Sequence, residues 1–177
     1  MLVVPLAFAW TGPVTATIAT MSELDVTVSR IIGDTWTPDL SSLDFGTLEW
    51  DDTDSIFRSQ GGRYYAVDAG VVDNTGSWTI THTSSSITNG TDNLDNNINV
   101  VFIDEFGNAG DADILDKLSY ADANGQSYTK ADFTSGRWLR IYYGLATGEN
   151  DATGVEVIGV EKSTGTYTGS ITLTLTP

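Results

Sequence analysis

The chain of 177 residues contains no cysteine, which excludes a disulfide framework, a thiolate zinc site and a thiol nucleophile. It contains one histidine, His82, so imidazole-based metal or triad chemistry has almost nothing to work with. Flanked by Thr81 and Thr83, His82 is expected on the exposed side of a strand. Cations are scarce: 8 Lys and Arg against 24 Asp and Glu give a net charge of −16. Nucleic-acid backbones and anionic membrane surfaces are therefore repelled. Long apolar runs are also lacking. The strongest, residues 1–10, is about half the length a membrane-spanning helix needs. Together these absences argue against most enzymes, against a nucleic-acid partner and a membrane span, and for no cofactor.

The polarity that is present comes largely from neutral groups, with 25 Thr, 15 Ser and 18 Gly but only 18% charged residues. This is the composition of a β-rich, secreted protein. From Thr11 the chain reads as short period-2 segments: 14–19, 24–29, 43–50, 63–72, 77–83, 98–103, 137–145, 155–161 and 166–176. Turn formers separate them, among them Asn89-Gly90, Asn124-Gly125 and Gly148-Glu149-Asn150-Asp151. Residues 111–120 are expected to form a short helix, with Ile114, Leu115 and Leu118 on one side and Asp111 and Asp113 at its start. The length suits one domain, and helices for parallel crossovers are missing. The expectation is an all-β, Ig-like or jelly-roll antiparallel β-sandwich of about nine strands over residues 13–177. In its closing strand Ile171, Leu173 and Leu175 face the core, and Thr172, Thr174 and Thr176 face away.

Residues 1–12 are expected to be an extended arm joined to the body at Gly12-Pro13. In extended backbone Leu2, Val4, Leu6, Phe8 and Trp10 share one face. Such a row suits insertion into a groove; residues 1–9 as the remnant of a secretory signal, or as a first strand of the domain itself, are the other readings of this stretch.

Two stretches carry a family likeness. SSLDFGTL at 41–48 and TGTYTGSITLTLTP at 164–177, with RIYYGL at 140–145 between them, resemble the Ig-like pilin subunits of the spore-coat-U and archaic chaperone–usher type. This chain differs from those pilins in lacking their cysteines. More broadly it resembles donor-strand-complemented subunits of extracellular filaments. The resemblance implies a secreted cell-surface protein whose partners are identical subunits. Each would lend a neighbour its N-terminal strand, a role that falls here on Leu2, Val4, Leu6, Phe8 and Trp10.

Other motifs point elsewhere. Trp36, Trp50, Trp78 and Trp138 suit stacking on sugar rings, so a carbohydrate-binding or adhesive module is the alternative reading, with a glycan as partner. Acidic clusters at 51–54, 92–95, 104–105 and 111–113 offer oxygen ligands for a structural Ca²⁺, although none has EF-hand spacing. Asn89-Gly90-Thr91 is an N-glycosylation sequon in a turn.

Overall fold

The computed structural model describes residues 23–72, 76–104, 113–133 and 138–177, and the statements below concern these. Eleven strands follow one another: β1 (Leu24–Ile32), β2 (Thr35–Thr37), β3 (Leu48–Asp51), β4 (Ile56–Ser59), β5 (Tyr64–Val71), β6 (Thr79–Ser84), β7 (Ile98–Asp104), β8 (Ile114–Ser119), β9 (Ser127–Thr129), β10 (Trp138–Leu145) and β11 (Ile171–Thr176). A six-stranded sheet has the order β2-β1-β5-β10-β7-β8, a three-stranded sheet the order β11-β6-β9, and β3 and β4 form a separate hairpin. Each strand pairing is antiparallel. The protein is an all-β sandwich.

Period-2 alternation builds the core between the sheets. On β5 it turns Tyr65, Val67, Ala69 and Val71 inward, to meet Leu139, Ile141 and Tyr143 of β10, Val100 and Phe102 of β7, and Trp78 and Ile80 of β6. Burying each large apolar side chain there contributes about 1.5–3 kcal/mol. The two-residue loop Gly33–Asp34 joins β1 to β2, and Gly33 takes φ +56°, which a glycine adopts without strain. The outer face of the large sheet is also dry at its centre, where Ala66, Asp68 and Arg140 are buried.

Four of the expected elements differ in the structure, and β2, β4 and β9 fall where no strand was expected. Residues 114–119 form strand β8 and not a helix, because Leu118 pairs with Val100 and Ile114 with Ile103 across a bulge; sheet pairing overrides the local signal at Asp113. Residues 155–161 form no strand, yet Ile158 is core and its carbonyl accepts from Phe57 N at 2.8 Å. The strand expected over 43–50 is confined to β3, after Gly46 at φ +70°. That expected over 166–176 begins only at Ile171, the preceding stretch making an isolated bridge between Thr88 and Thr168. Residues 14–19 and the arm lie outside the described residues.

Candidate functional site

The second layer of the sandwich is interrupted. Between β11 and the 41–48 segment lies a groove of about 1190 Å³, with Val26, Val28, Val67 and Leu145 of the large sheet along it and Ile171 and Leu173 on the β11 side. Its polar lining comes mainly from Ser41, Ser42 and residues 162–170.

Strand pairing decides which backbone groups face this opening. Ser85 N donates to Ser170 O, and Ser170 N donates to Ser85 Oγ, both at 2.9 Å, so Ser170 and Ser85 face each other's bonding groups and the next pair, Ile171 and Ser84, does not. Continuing the register, Thr172, Thr174 and Thr176 bond to β6. The N–H and C=O groups of Ile171, Leu173 and Leu175 point to the other edge. The neighbouring strand agrees, since His82, the partner of Leu173, turns its own N–H and C=O to Gln126 O and Gly125 N, both at 2.8 Å. Among the described residues β11 is an edge strand, so those six groups have no strand partner there.

The same logic applies to β1. Val72 N donates to Glu23 O, which sends the backbone groups of Leu24, Val26 and Val28 away from β5. Of these, Val28 O accepts from Leu40 N at 3.0 Å. Val26, an apolar side chain on the inward side, is 45% exposed.

Both rims are pinned. On one, the Tyr65 hydroxyl donates to Asp44 O, Phe45 stands edge-on to Tyr65 at 5.3 Å between ring centroids, and Gly46 N donates to Asp44 Oδ1 at 2.8 Å. On the other, Ser163 N donates to Asp92 Oδ2 and Tyr167 Oη to Ser163 O, both at 2.7 Å. The bonds from Ser163 hold the Asp92 carboxyl below its ordinary range. Asn89 closes this rim: its Nδ2, the atom a glycan would occupy, donates to Ser163 Oγ at 2.9 Å, while Oδ1 accepts from Thr91 N and Asp92 N.

Under the groove lies a polar link between the sheets. His82 is fully buried, against the expectation of an exposed position. Its Nδ1 lies 2.8 Å from Ala123 O and its Nε2 3.0 Å from the Tyr143 hydroxyl. Because a carbonyl only accepts, Nδ1 carries the proton and Nε2 accepts from Tyr143. Burial lowers the His82 pKa and raises that of Tyr143 well above the ordinary phenol value. Tyr120 Oη sits 3.0 Å from both Ser85 O and Ser170 O, bracing the entry to β11.

The sequence singled out Ile171, Leu173 and Leu175, and all three pack half-buried against the core. It did not single out Val26 or Phe45 for this site, and their grouping with Tyr65 and Tyr143 depends on strand order. The arm residues Leu2, Val4, Leu6, Phe8 and Trp10 lie outside the described residues. The four tryptophans stand on different parts of the fold. Trp78 is core beside Phe133, and Trp50 lies edge-on to Phe57 on the hairpin. Trp36 and Trp138 share the outer face of the large sheet, where the Trp138 ring covers Gly70 so closely that an added Cβ would sit 2.1 Å from it. The acidic cluster at 51–54 is occupied with Arg58, which binds Asp51 at 2.9 Å and also Asp54. Among the described residues no group of three His, Asp or Glu is placed to hold a metal ion, and no helix is long and apolar enough to cross a membrane.

Among the described residues the groove thus combines an apolar floor with a strand edge, that of β11, which has no strand partner, the two features that bind an extended peptide by strand addition. Compared with family models, curated proteins and solved structures, the chain matches none of them.

Proposed function

We propose that the protein is a non-enzymatic structural subunit of an extracellular, cell-surface filament, polymerising by insertion of its N-terminal strand into the groove of a neighbouring copy. The observation that carries this reading is the apolar groove beside the edge of β11 that has no strand partner among the described residues. The sequence supplies a matching donor, because Leu2, Val4, Leu6, Phe8 and Trp10 present one apolar face at strand spacing. Each buried side chain contributes about 1.5–3 kcal/mol before ordering costs. Backbone pairing to Ile171, Leu173 and Leu175 sets the register. Donor and acceptor are different surfaces of identical chains, so the contact is heterologous and propagates without closing.

The test is deletion of residues 1–10, followed by electron microscopy and addition of a synthetic peptide of that sequence. The truncated protein is expected to stay monomeric or to aggregate without order, and the peptide to raise its melting temperature. Long regular fibres from the truncated chain would overturn the proposal.

A further inference from the structure

We propose a separate binding site on the outer face of the six-stranded sheet: an aromatic platform, formed by Trp36, Tyr142 and Tyr64, that takes a neutral polysaccharide. It goes beyond the filament reading and uses the opposite side of the sheet from the groove.

The platform is fixed from beneath. Arg140 is bound bidentately by Asp68, with Nε 2.5 Å from Oδ1 and Nη2 3.0 Å from Oδ2. The guanidinium carbon lies 4.9 Å from the centre of the Trp36 ring and 5.9 Å from that of Tyr142. Arg140 and Asp68 are buried while Trp36 is 43% exposed, so the indole forms the outer layer, with one face on the cation and the other toward solvent. A buried ion pair is no more stabilising than an apolar pair of the same volume; what this one adds is a fixed plane for the indole. The row beside it carries Ser29 and Ala66 next to Tyr142, small residues that keep the face low.

The surface continues into a cavity. Tyr64 and Tyr142, with ring centroids 6.0 Å apart and planes at 56°, border a pocket of about 480 Å³ that Gly144 and Val101 also line. A Cβ added at Gly144 would meet only Tyr64 Cβ, at 3.6 Å. A side chain is therefore tolerated there, and its absence leaves the pocket open.

Charge selects the occupant. Arg140 is neutralised by Asp68, and Arg58 at the pocket by Asp51 and Asp54. Arg63 directs its guanidinium to the carbonyls of Asp44 and Gln60. A site whose arginines are paired with carboxylates or spent on the protein's own carbonyls, on a chain of net charge −16, suits neither a polyanion nor a second acidic copy. It suits pyranose rings, whose C–H faces stack on indole and phenol rings and whose hydroxyls bond to tyrosine hydroxyls and amides.

The test is calorimetric titration of the full chain with cellohexaose, chitohexaose and mannohexaose, and with oligogalacturonate as the anionic arm. At least one neutral hexaose is expected to bind, with affinity reduced about tenfold or more by Trp36→Ala, as for truncation of a central aromatic. Gly144→Leu, which fills the pocket, should weaken the same hexaose. Trp36→Ala uncovers the Arg140–Asp68 pair without opening the core, so a folded protein with a modestly lower melting temperature is expected, and this variant decides the matter should Gly144→Leu misfold. Absence of binding by all three neutral sugars, equal binding of oligogalacturonate, or binding that survives Trp36→Ala would overturn the proposal. So would a dimer, seen by light scattering, that Trp36→Ala abolishes, since that would assign the face to a second copy.

Discussion

The centre of the large sheet and the margin at β11 are built from the same alternation of apolar and polar residues, yet they end in different states. At the centre, β5 and β10 have strand neighbours on both edges and cover on both faces; Ala66, Ala69 and Ile141 are fully buried. At the margin, β11 has one strand neighbour among the described residues, and Ile171, Leu173 and Leu175 are only half-buried. The comparison teaches that local pattern fixes which way a side chain points, while position in the sheet fixes whether anything covers it.

The contrast breaks most sharply at its strongest point. Asp68→Ala leaves the Arg140 cation buried without its carboxylate, and about 3–5 kcal/mol of stability should be lost, measured by urea denaturation. A loss under about 1 kcal/mol would mean that water reaches this pair freely.

Next come two truncations that set the regions side by side. Ile141→Ala at the centre should cost about 2–5 kcal/mol, whereas Leu173→Ala should cost about 1–2 kcal/mol, because a half-exposed side chain forfeits only part of its transfer energy. Occupancy of the groove should narrow this difference. Equal losses in the monomer would show that the margin is already covered. Leu173→Asp should be harsher than Leu173→Ala and should also abolish polymerisation.

Acid provides a third probe, at the link between the layers. Burial holds the His82 pKa below the ordinary imidazole value of 6.5, so the unfolded chain takes up the proton first as pH falls. The stability that neutral His82 contributes is complete above that value and is lost progressively below it, with a slope of at most about 1.4 kcal/mol per pH unit from one proton. Denaturation midpoints between pH 8 and pH 5 measure this, and His82→Gln should flatten the dependence. The chain's single histidine gives one imidazole signal by NMR. Titration of that signal at an ordinary value in the folded protein would refute the account. Asp51 and Asp92, whose pKa values are lowered chiefly by hydrogen bonds from Thr53 and Ser163, act in a separate window. Their contribution is present above the ordinary aspartate value and fades as pH falls below it.

The smallest effect belongs to the exposed surface. Asp54→Ala removes half of the Arg58 network and should shift stability by no more than about 0.5 kcal/mol; a larger loss would mean that the hairpin β3–β4 depends on it.

Much of the fold was legible because strand period is local. The ITLTLT alternation near the C-terminus, Ile171 through Thr176, announces both a strand and its inward face, and Tyr64 to Val71 reads as a strand throughout. The groove was not legible. That β11 lies at an edge follows from its pairing with β6 alone, a relation between residues about ninety positions apart that no window of sequence contains. His82 is illegible for the same reason: among threonines it reads as exposed, and its partners, Ala123 O and the Tyr143 hydroxyl, both come from distant parts of the chain. At residues 114–119 the acidic start resembled a helix terminus, and the decisive fact was again remote, namely the β7 strand on which Leu118 and Lys117 pair.

The alternation along β11 has a kinetic signature. Thr172, Thr174 and Thr176 direct their amide protons into the bonds with β6 and should exchange slowly with solvent deuterium, whereas Ile171, Leu173 and Leu175 direct theirs to the open edge and should exchange fast. An incoming strand would slow the second set and leave the first almost unchanged. Six consecutive amides would then act as a built-in occupancy counter, in which every other proton records whether a neighbour has arrived.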